Sequence, residues 1–248
     1  MLDAFSRMEM LLGAKEADQL ARARIAVFGL GGVGSYIVET LARCGVGCLT
    51  LVDGDSIDIT DINRQLFAFR STVGRSKVEV AKEYIRDIDD RILVNTYGTY
   101  YRQETADMID FHMFDYVVDA TNSRKDKMLI AGKAAEHKIP VITCINVENR
   151  MDPSKFELLD LSKVQLGVMN PMLRKIKSEF RQVPTGKIKL LFSREKGEES
   201  RGSIAFVPGM AGLVVAREIV KDILSAYNAE HSGEQGSNQK TNQKLKKK

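Results

Sequence analysis

Arg24-Ile25-Ala26-Val27-Phe28-Gly29-Leu30-Gly31-Gly32-Val33-Gly34 runs from a short apolar segment straight into a glycine loop. The apolar segment Arg24–Phe28, closed by a glycine, suits a buried strand. Beyond the loop, Gly34–Cys44 carries Ile37, Val38 and Leu41 on one helical face. Strand, Gly29-Leu30-Gly31-Gly32-Val33-Gly34 and helix, in that order, form a turn that can hold a phosphate. Glycines let the backbone come close to the anion, and the helix N-terminus offers free N–H groups and a positive dipole. Asp53 follows the next strand, Cys48–Val52, nineteen residues after Gly34. A carboxylate there can take ribose hydroxyls. The bland alternative is a glycine turn that serves only tight helix–strand packing.

Outward from this unit the pattern repeats. Val78, Ala81, Ile85 and Ile88 recur at helical spacing. Strands are expected at Ile92–Tyr97, Tyr116–Asp119 and Pro140–Cys144, separated by helices near 103–112 and 124–137. Such alternation predicts an α/β fold: a Rossmann-like, mostly parallel sheet with helices on both faces. Short strands at Phe156–Leu161, Ile188–Phe192 and Ser203–Val207 should add late, antiparallel pieces, and Gly209–Tyr227 should close the fold as a helix. Residues 5–22 read as an opening helix or helix pair. The expected organisation is one domain over 1–228: N-terminal helices 5–22, a nucleotide-binding core 24–150 and a substrate and closing region 151–228. Residues 229–248, rich in Gly, Ser, Asn, Gln and Lys, should be a disordered basic tail.

Composition sets limits. With 44% hydrophobic and 28% charged residues the chain has ordinary globular content. No run of eighteen apolar residues suggests a membrane span, and Asp3, Arg7 and Glu9 break any signal-peptide pattern. Cys44, Cys48 and Cys144 include no C-x-x-C pair, and so sparse a set fits a reducing cytoplasm. Cys144 ends a strand near the presumed site, yet His112, His137 and His231 form no motif with it, so a small buried apolar role outweighs a nucleophile. Of the net charge of +4, the tail supplies +3 through five lysines and two glutamates. Basicity is thus a property of the tail, which either assists contact with nucleic-acid phosphates or is simply solvated.

The glycine loop and its acid leave two readings open, an NAD dehydrogenase and an ATP-using adenylating enzyme. Two later segments separate them: Thr60-Asp61-Ile62-Asn63-Arg64-Gln65 and Val73-Gly74-Arg75-Ser76-Lys77. With the loop and Asp53, these resemble the ubiquitin-activating-type (ThiF/MoeB-like) adenylating family, which has the same four features in the same order. The resemblance implies ATP and Mg²⁺ as cofactors. It implies ATP contacts from Gly29, Gly31, Gly32, Gly34, Asp53, Asp61, Asn63 and Gln65, and catalytic roles for Arg64 and Lys77 on the phosphates. Two cations converging on a triphosphate would neutralise the departing pyrophosphate. Phe5-Ser6-Arg7 before Leu11-Leu12-Gly13 resembles the family's opening helix, whose arginine reaches a partner subunit's site. Arg7 is therefore the third expected catalytic residue, and a homodimer is implied.

Within the family the likeness is greatest to a tRNA-modifying branch that acts on threonylcarbamoyladenosine in tRNA. Met151-Asp152-Pro153, Gly202-Ser203-Ile204-Ala205-Phe206-Val207-Pro208 and Ala211-Gly212-Leu213 extend it, and the zinc-binding cysteine pairs of the sulfur-carrier activators are missing. The implied activity is ATP-dependent activation and cyclisation of that modified base, with a sulfurtransferase as a further conceivable partner. Its rivals are activation of a ubiquitin-like sulfur carrier and a non-catalytic nucleotide-binding relative. The chain also departs from the family. Asp61 stands where the family usually has Asn, and Asn122 where it usually has an Asp that serves Mg²⁺. Asp61 and Asn122 are therefore the expected metal residues. Cys144–Arg150 replaces a glycine-rich stretch, and Asn170-Pro171 replaces Asp-Pro.

Overall fold

The strand β1 (Arg24–Phe28) is buried from Ile25 onward, and its side chains alternate between two cores. Ile25 and Val27 join one core, Ala26 and Phe28 the other, as the twofold period of a strand requires. The structure, a computed structural model, describes residues 4–145, 147–163, 174, 178, 180, 183, 187–196 and 202–245, with side chains to residue 226. The expected contribution of Asn170-Pro171 lies outside the described residues.

Two helices open the chain, α1 (Ser6–Leu12) and α2 (Ala14–Arg22), split at Gly13, whose φ of 101° ends the first. Then come β1, α3 (Gly32–Arg43), β2 (Cys48–Val52), α4 (Lys77–Ile88), β3 (Leu93–Tyr97) and β4 (Tyr116–Asp119). They are followed by α5 (Arg124–Glu136), β5 (Val141–Ile145), β6 (Phe156–Asp160), β7 (Ile188–Ser193) and a closing helix, Phe206–Leu245. The sheet order is β3-β2-β1-β4-β5-β7-β6. Among the described strands only β6 runs antiparallel, paired with β7. The Rossmann-like, mostly parallel reading holds, and the antiparallel addition is this one edge strand.

The helices cover both faces. Ile37, Val38 and Leu41 of α3, Val78, Ala81 and Ile85 of α4, and Val215 and Ile219 of the closing helix fill one core. Ile130, Ala131 and Ala134 of α5 fill the other, with Phe111 and Ile109. Lys189 on β7 ties the closing helix to the sheet through Glu218 at 2.7 Å and Asp222 at 2.6 Å. Among the described residues no helix is long and apolar enough to cross a membrane.

Two expectations need correction. The helix near 103–112 is instead two 3₁₀ turns, Ala106–Met108 and Phe111–Met113. Ile109 is extended between them, and Asp110 caps the second turn through the His112 N–H at 3.0 Å. Ser203–Val207 is not a strand. The Ser203 carbonyl takes Asn63 and the neighbouring Gly202 pairs with Asn149, while the helix already starts at Phe206. Pro208 fits its first turn, where no backbone donor is needed. The closing helix begins at Phe206 and its backbone continues to Leu245, past the expected end at Tyr227. A helix nucleated on the core elongates without a second nucleation cost.

Strand order reverses between β1, which leads to β2 and β3, and β4, which leads to β5 and β7. A crevice opens at the carboxyl ends of strands where order reverses. The backbone there is very tight. A Cβ on Gly29, at φ 89°, would lie 2.7 Å from the Ala120 carbonyl oxygen, and one on Gly34 would lie 1.9 Å from that of Gly29. Gly34→Ala should therefore push α3 off the loop and cost at least about 1–3 kcal/mol. In a chain of this size that is a fall in melting temperature of roughly 2–4 °C per kcal/mol. Unchanged thermal unfolding of this variant would contradict the packing described.

Candidate functional site

The crevice is a cavity of about 1060 Å³, floored by the glycine loop and walled by the segments that follow β2, β3, β4 and β5. Gly31 faces open space: a Cβ there would meet nothing within 4 Å. It also precedes the first turn of α3, and no side chain caps that helix. The first N–H groups of α3 are thus left for a ligand.

Asp53 sets the shape of the loop. One carboxylate oxygen accepts the Leu30 N–H at 2.6 Å, and the other accepts the Asp55 N–H at 2.8 Å. Burial pushes the Asp53 carboxyl upward, and those two N–H groups offset part of the effect. The side chain expected to hold ribose is also a strut between β2 and the loop after β1.

The segment from Asp53 to Lys77 carries the cations. The Ile57 N–H donates to the Arg75 carbonyl at 2.8 Å, and the Lys77 N–H to the Asp55 carbonyl at 3.1 Å, so the segment leaves and re-enters the body at one place. A 3₁₀ turn, Ile59–Asp61, sits in it with a reciprocal cap: Asp58 accepts the Thr60 N–H and Asp61 accepts the Asp58 N–H. Asp61 is buried, and its other oxygen accepts from the Arg64 guanidinium at 3.1 Å. Lys77 Nζ lies 3.0 Å from Asp55 and 3.9 Å from Asp61. Arg64 also donates to the Thr60 carbonyl at 2.6 Å and to the Asn63 side chain at 3.2 Å. Tyr100, after β3, donates its hydroxyl to Asp55. Burial alone would raise the Asp55 carboxyl, but Tyr100 and Lys77 hold it below the usual range.

Of the residues expected from sequence, Gly29, Gly31, Gly32, Asp53, Asp61, Arg64, Gln65, Lys77 and Asn122 all line this cavity. Gly34 stands behind the loop. Asn63 points its amide at the Ser203 carbonyl, 2.9 Å away, and so joins the loop to the approach of the closing helix. Arg7 is exposed on α1 and does not line the cavity of its own chain. Asp61 and Asn122, expected to hold a metal, do not form a cage. Among the described residues no cluster of three or more His, Cys, Asp or Glu could hold an ion. Asp61 is engaged by Arg64 and the Asp58 N–H, while the Asn122 amide donates to Glu148 at 3.2 Å.

Some site residues escaped sequence reading. Asp55, partner of Lys77, was signalled only by its place two residues after Asp53. Asp119, at the end of β4, is fully buried against Lys127, 3.2 Å away on α5, and accepts from the Thr121 hydroxyl. Glu148 lay in the stretch noted only for bulk. Cys144 is buried, and burial pushes its thiol up to about 12, which fits a core residue rather than a nucleophile.

Residues 5–247 match the ThiF family. A tRNA threonylcarbamoyladenosine dehydratase of Bacillus subtilis is 34% identical over 246 residues, covering 90% of this chain and 96% of the relative. The crystal structure of E. coli tRNA N6-threonylcarbamoyladenosine dehydratase in complex with ATP superposes with a TM-score of 0.81 at 28% identity, covering 91% of this chain and 96% of that one. An adenylyltransferase and sulfurtransferase, MOCS3 of Culex quinquefasciatus, is 33% identical over 141 residues, which are 56% of this chain and 32% of the relative.

The cluster has a measurable consequence. Removing one partner of a buried ion pair leaves the other charge uncompensated. Asp61→Ala should therefore destabilise the fold by about 3 kcal/mol in denaturant unfolding. Arg75→Ala removes only an exposed pair with Glu83 and should cost under about 1 kcal/mol. Equal effects from the two changes would mean that Asp61 does not anchor the cations.

Proposed function

This chain belongs to the ThiF family, and on that footing we propose that it binds ATP and activates the carboxylate of threonylcarbamoyladenosine in tRNA for cyclisation. The observation that carries the reading is the placement of Arg64 and Lys77 on Asp61 at the wall of a glycine-loop cavity. In an NAD site these two cations would have no task. Support for the substrate comes from the full-length likeness to dehydratases of that name. A sulfur-carrier activator is less favoured, because the MOCS3 relative aligns with little more than half of this chain.

The chemistry follows from the residues. The substrate carboxylate attacks the α-phosphorus of ATP and pyrophosphate leaves. The carbamoyl group of the same base then displaces AMP and closes the ring. The backbone N–H groups at the start of α3 hold the phosphates. Arg64 and Lys77 meet the charge that grows on the pyrophosphate. Asp61 and Asp55 present the two cations in fixed positions before the nucleotide arrives, so little reorganisation is left for the reaction. No covalent nucleophile is needed, in keeping with the inert Cys144. Mg²⁺ would screen the triphosphate. Isolated cavity carboxylates, rather than a protein cage, suit a cation that arrives with the nucleotide and keeps several waters.

We also propose a homodimer in which Arg7 reaches the partner's site. Its exposure on α1 supports this, as do Met10 and Leu11, which are 77% and 83% exposed on the same short helix.

Two experiments test the reading. Calorimetry with ATP and NAD should give binding of ATP alone, and tRNA nucleosides from a deletion strain should accumulate the uncyclised base in mass spectra. Tight NAD binding, or unchanged nucleosides, would sink the proposal. For the dimer, an Arg7→Ala protein and an Arg64→Ala protein should each be nearly inactive. Mixed dimers should recover part of the activity through hybrid sites, and no recovery in verified mixed dimers would refute a shared site.

A further inference from the structure

Six basic and six acidic side chains line the cavity, so it offers no net positive charge to a triphosphate. Charges this close interact by several kcal/mol even at an effective dielectric of about 20. If the proposed ATP reading is right, and this inference rests on it, the site needs a further cation, and that cation needs a carboxylate oxygen to hold it.

The acids are not equally available. Asp53 is bound to the Leu30 and Asp55 N–H groups, and Asp55 to Lys77 and Tyr100. Asp58 caps the 3₁₀ turn, Asp61 serves Arg64 and the Asp58 N–H, and Asp126 lies in the first turn of α5, where the helix dipole favours its charge. Glu148 differs. It is exposed to the cavity, and its contact is with a neutral amide, the Asn122 Nδ2 at 3.2 Å. Its contact among the described residues is that amide.

Its loop is also built to hold it. Asn149 adopts a left-handed φ of 58°, which Asn tolerates better than most residues. The Asn149 side chain accepts the Gly202 N–H at 2.7 Å, and its own N–H bonds the Gly202 carbonyl at 3.2 Å. Glu195 accepts the Met151 and Asp152 N–H groups at 3.0 and 2.9 Å. Glu148 thus stands on an anchored loop after β5, and Asn122, after β4, steers its carboxylate from the side.

We propose that Glu148, positioned by Asn122, is the carboxylate through which this site takes the divalent cation of its nucleotide. The role expected of Asp61 moves to a residue on the loop after β5, and Asp61 keeps Arg64 and Lys77 in place.

The test uses the full-length protein, an α,β-methylene analogue of ATP that cannot be cleaved, and Mn²⁺ followed by electron paramagnetic resonance. Glu148→Gln should weaken Mn²⁺ binding to the protein–analogue complex by roughly tenfold or more, with the melting temperature unchanged. Binding of the analogue without metal should be equal or tighter, because a negative charge is gone. Asn122→Asp should strengthen Mn²⁺ binding, and Glu83→Gln, at an exposed carboxylate outside the cavity lining, should leave it within about twofold. A wild-type Mn²⁺ affinity in folded Glu148→Gln, or an equal loss in folded Glu83→Gln, overturns this proposal alone. A wild-type protein that binds no analogue overturns the nucleotide reading and this proposal with it.

Discussion

The fold turns on a close approach of two backbones. At the end of β1 the chain passes the end of β4 so tightly that Gly29 has no room for a Cβ beside Ala120, and Gly34 none beside Gly29. This contact fixes the point where strand order reverses, and with it the crevice. α3 starts where it does because the loop folds back on itself. Its N-terminus then faces the cavity rather than the core. Asp53 completes the constraint by holding Leu30 from the neighbouring strand. Larger side chains at these positions would separate β1 from β4, and the site would have no floor.

On this frame the electrostatics are arranged in advance. The cavity is lined by as many acids as bases, and most of these charges are paired within the protein. Asp55 and Asp61 are spent on Lys77 and Arg64, and Asp119 on Lys127. Each acid holds a long, flexible cation in one geometry. Side-chain entropy that would otherwise be lost on ligand binding is lost on folding instead. The arrangement gives up net positive charge and gains order. The second half of the molecule encloses the same space. The closing helix packs on α3, with Gly212 against Tyr36 and Pro208 over Gly32. Its approach at 202–204 is stitched to Asn63 on one side and Asn149 on the other.

Much of this was legible in the sequence, because the signals are local. The five-residue apolar run, the spacing of glycines, the helical recurrence of Ile37, Val38 and Leu41, and an acid at the next strand end are each set by neighbours in the chain. Backbone sterics and side-chain period act over a few residues, so they determined the α/β class and the strand–glycine loop–helix unit, whereas Arg64 and Lys77 were singled out by family resemblance. What only the tertiary structure decided is who meets whom. Asn122 and Glu148 are 26 residues apart, on loops after different strands, and nothing local records that β4 and β5 are neighbours. The partner of Lys77 is Asp55 because a long segment leaves and returns at one point, and Ser203 is no strand because its carbonyl is taken by Asn63. Parallel pairing joins residues far apart in sequence. Hence the availability of each carboxylate, on which the chemistry of the site depends, is a property of the folded molecule alone.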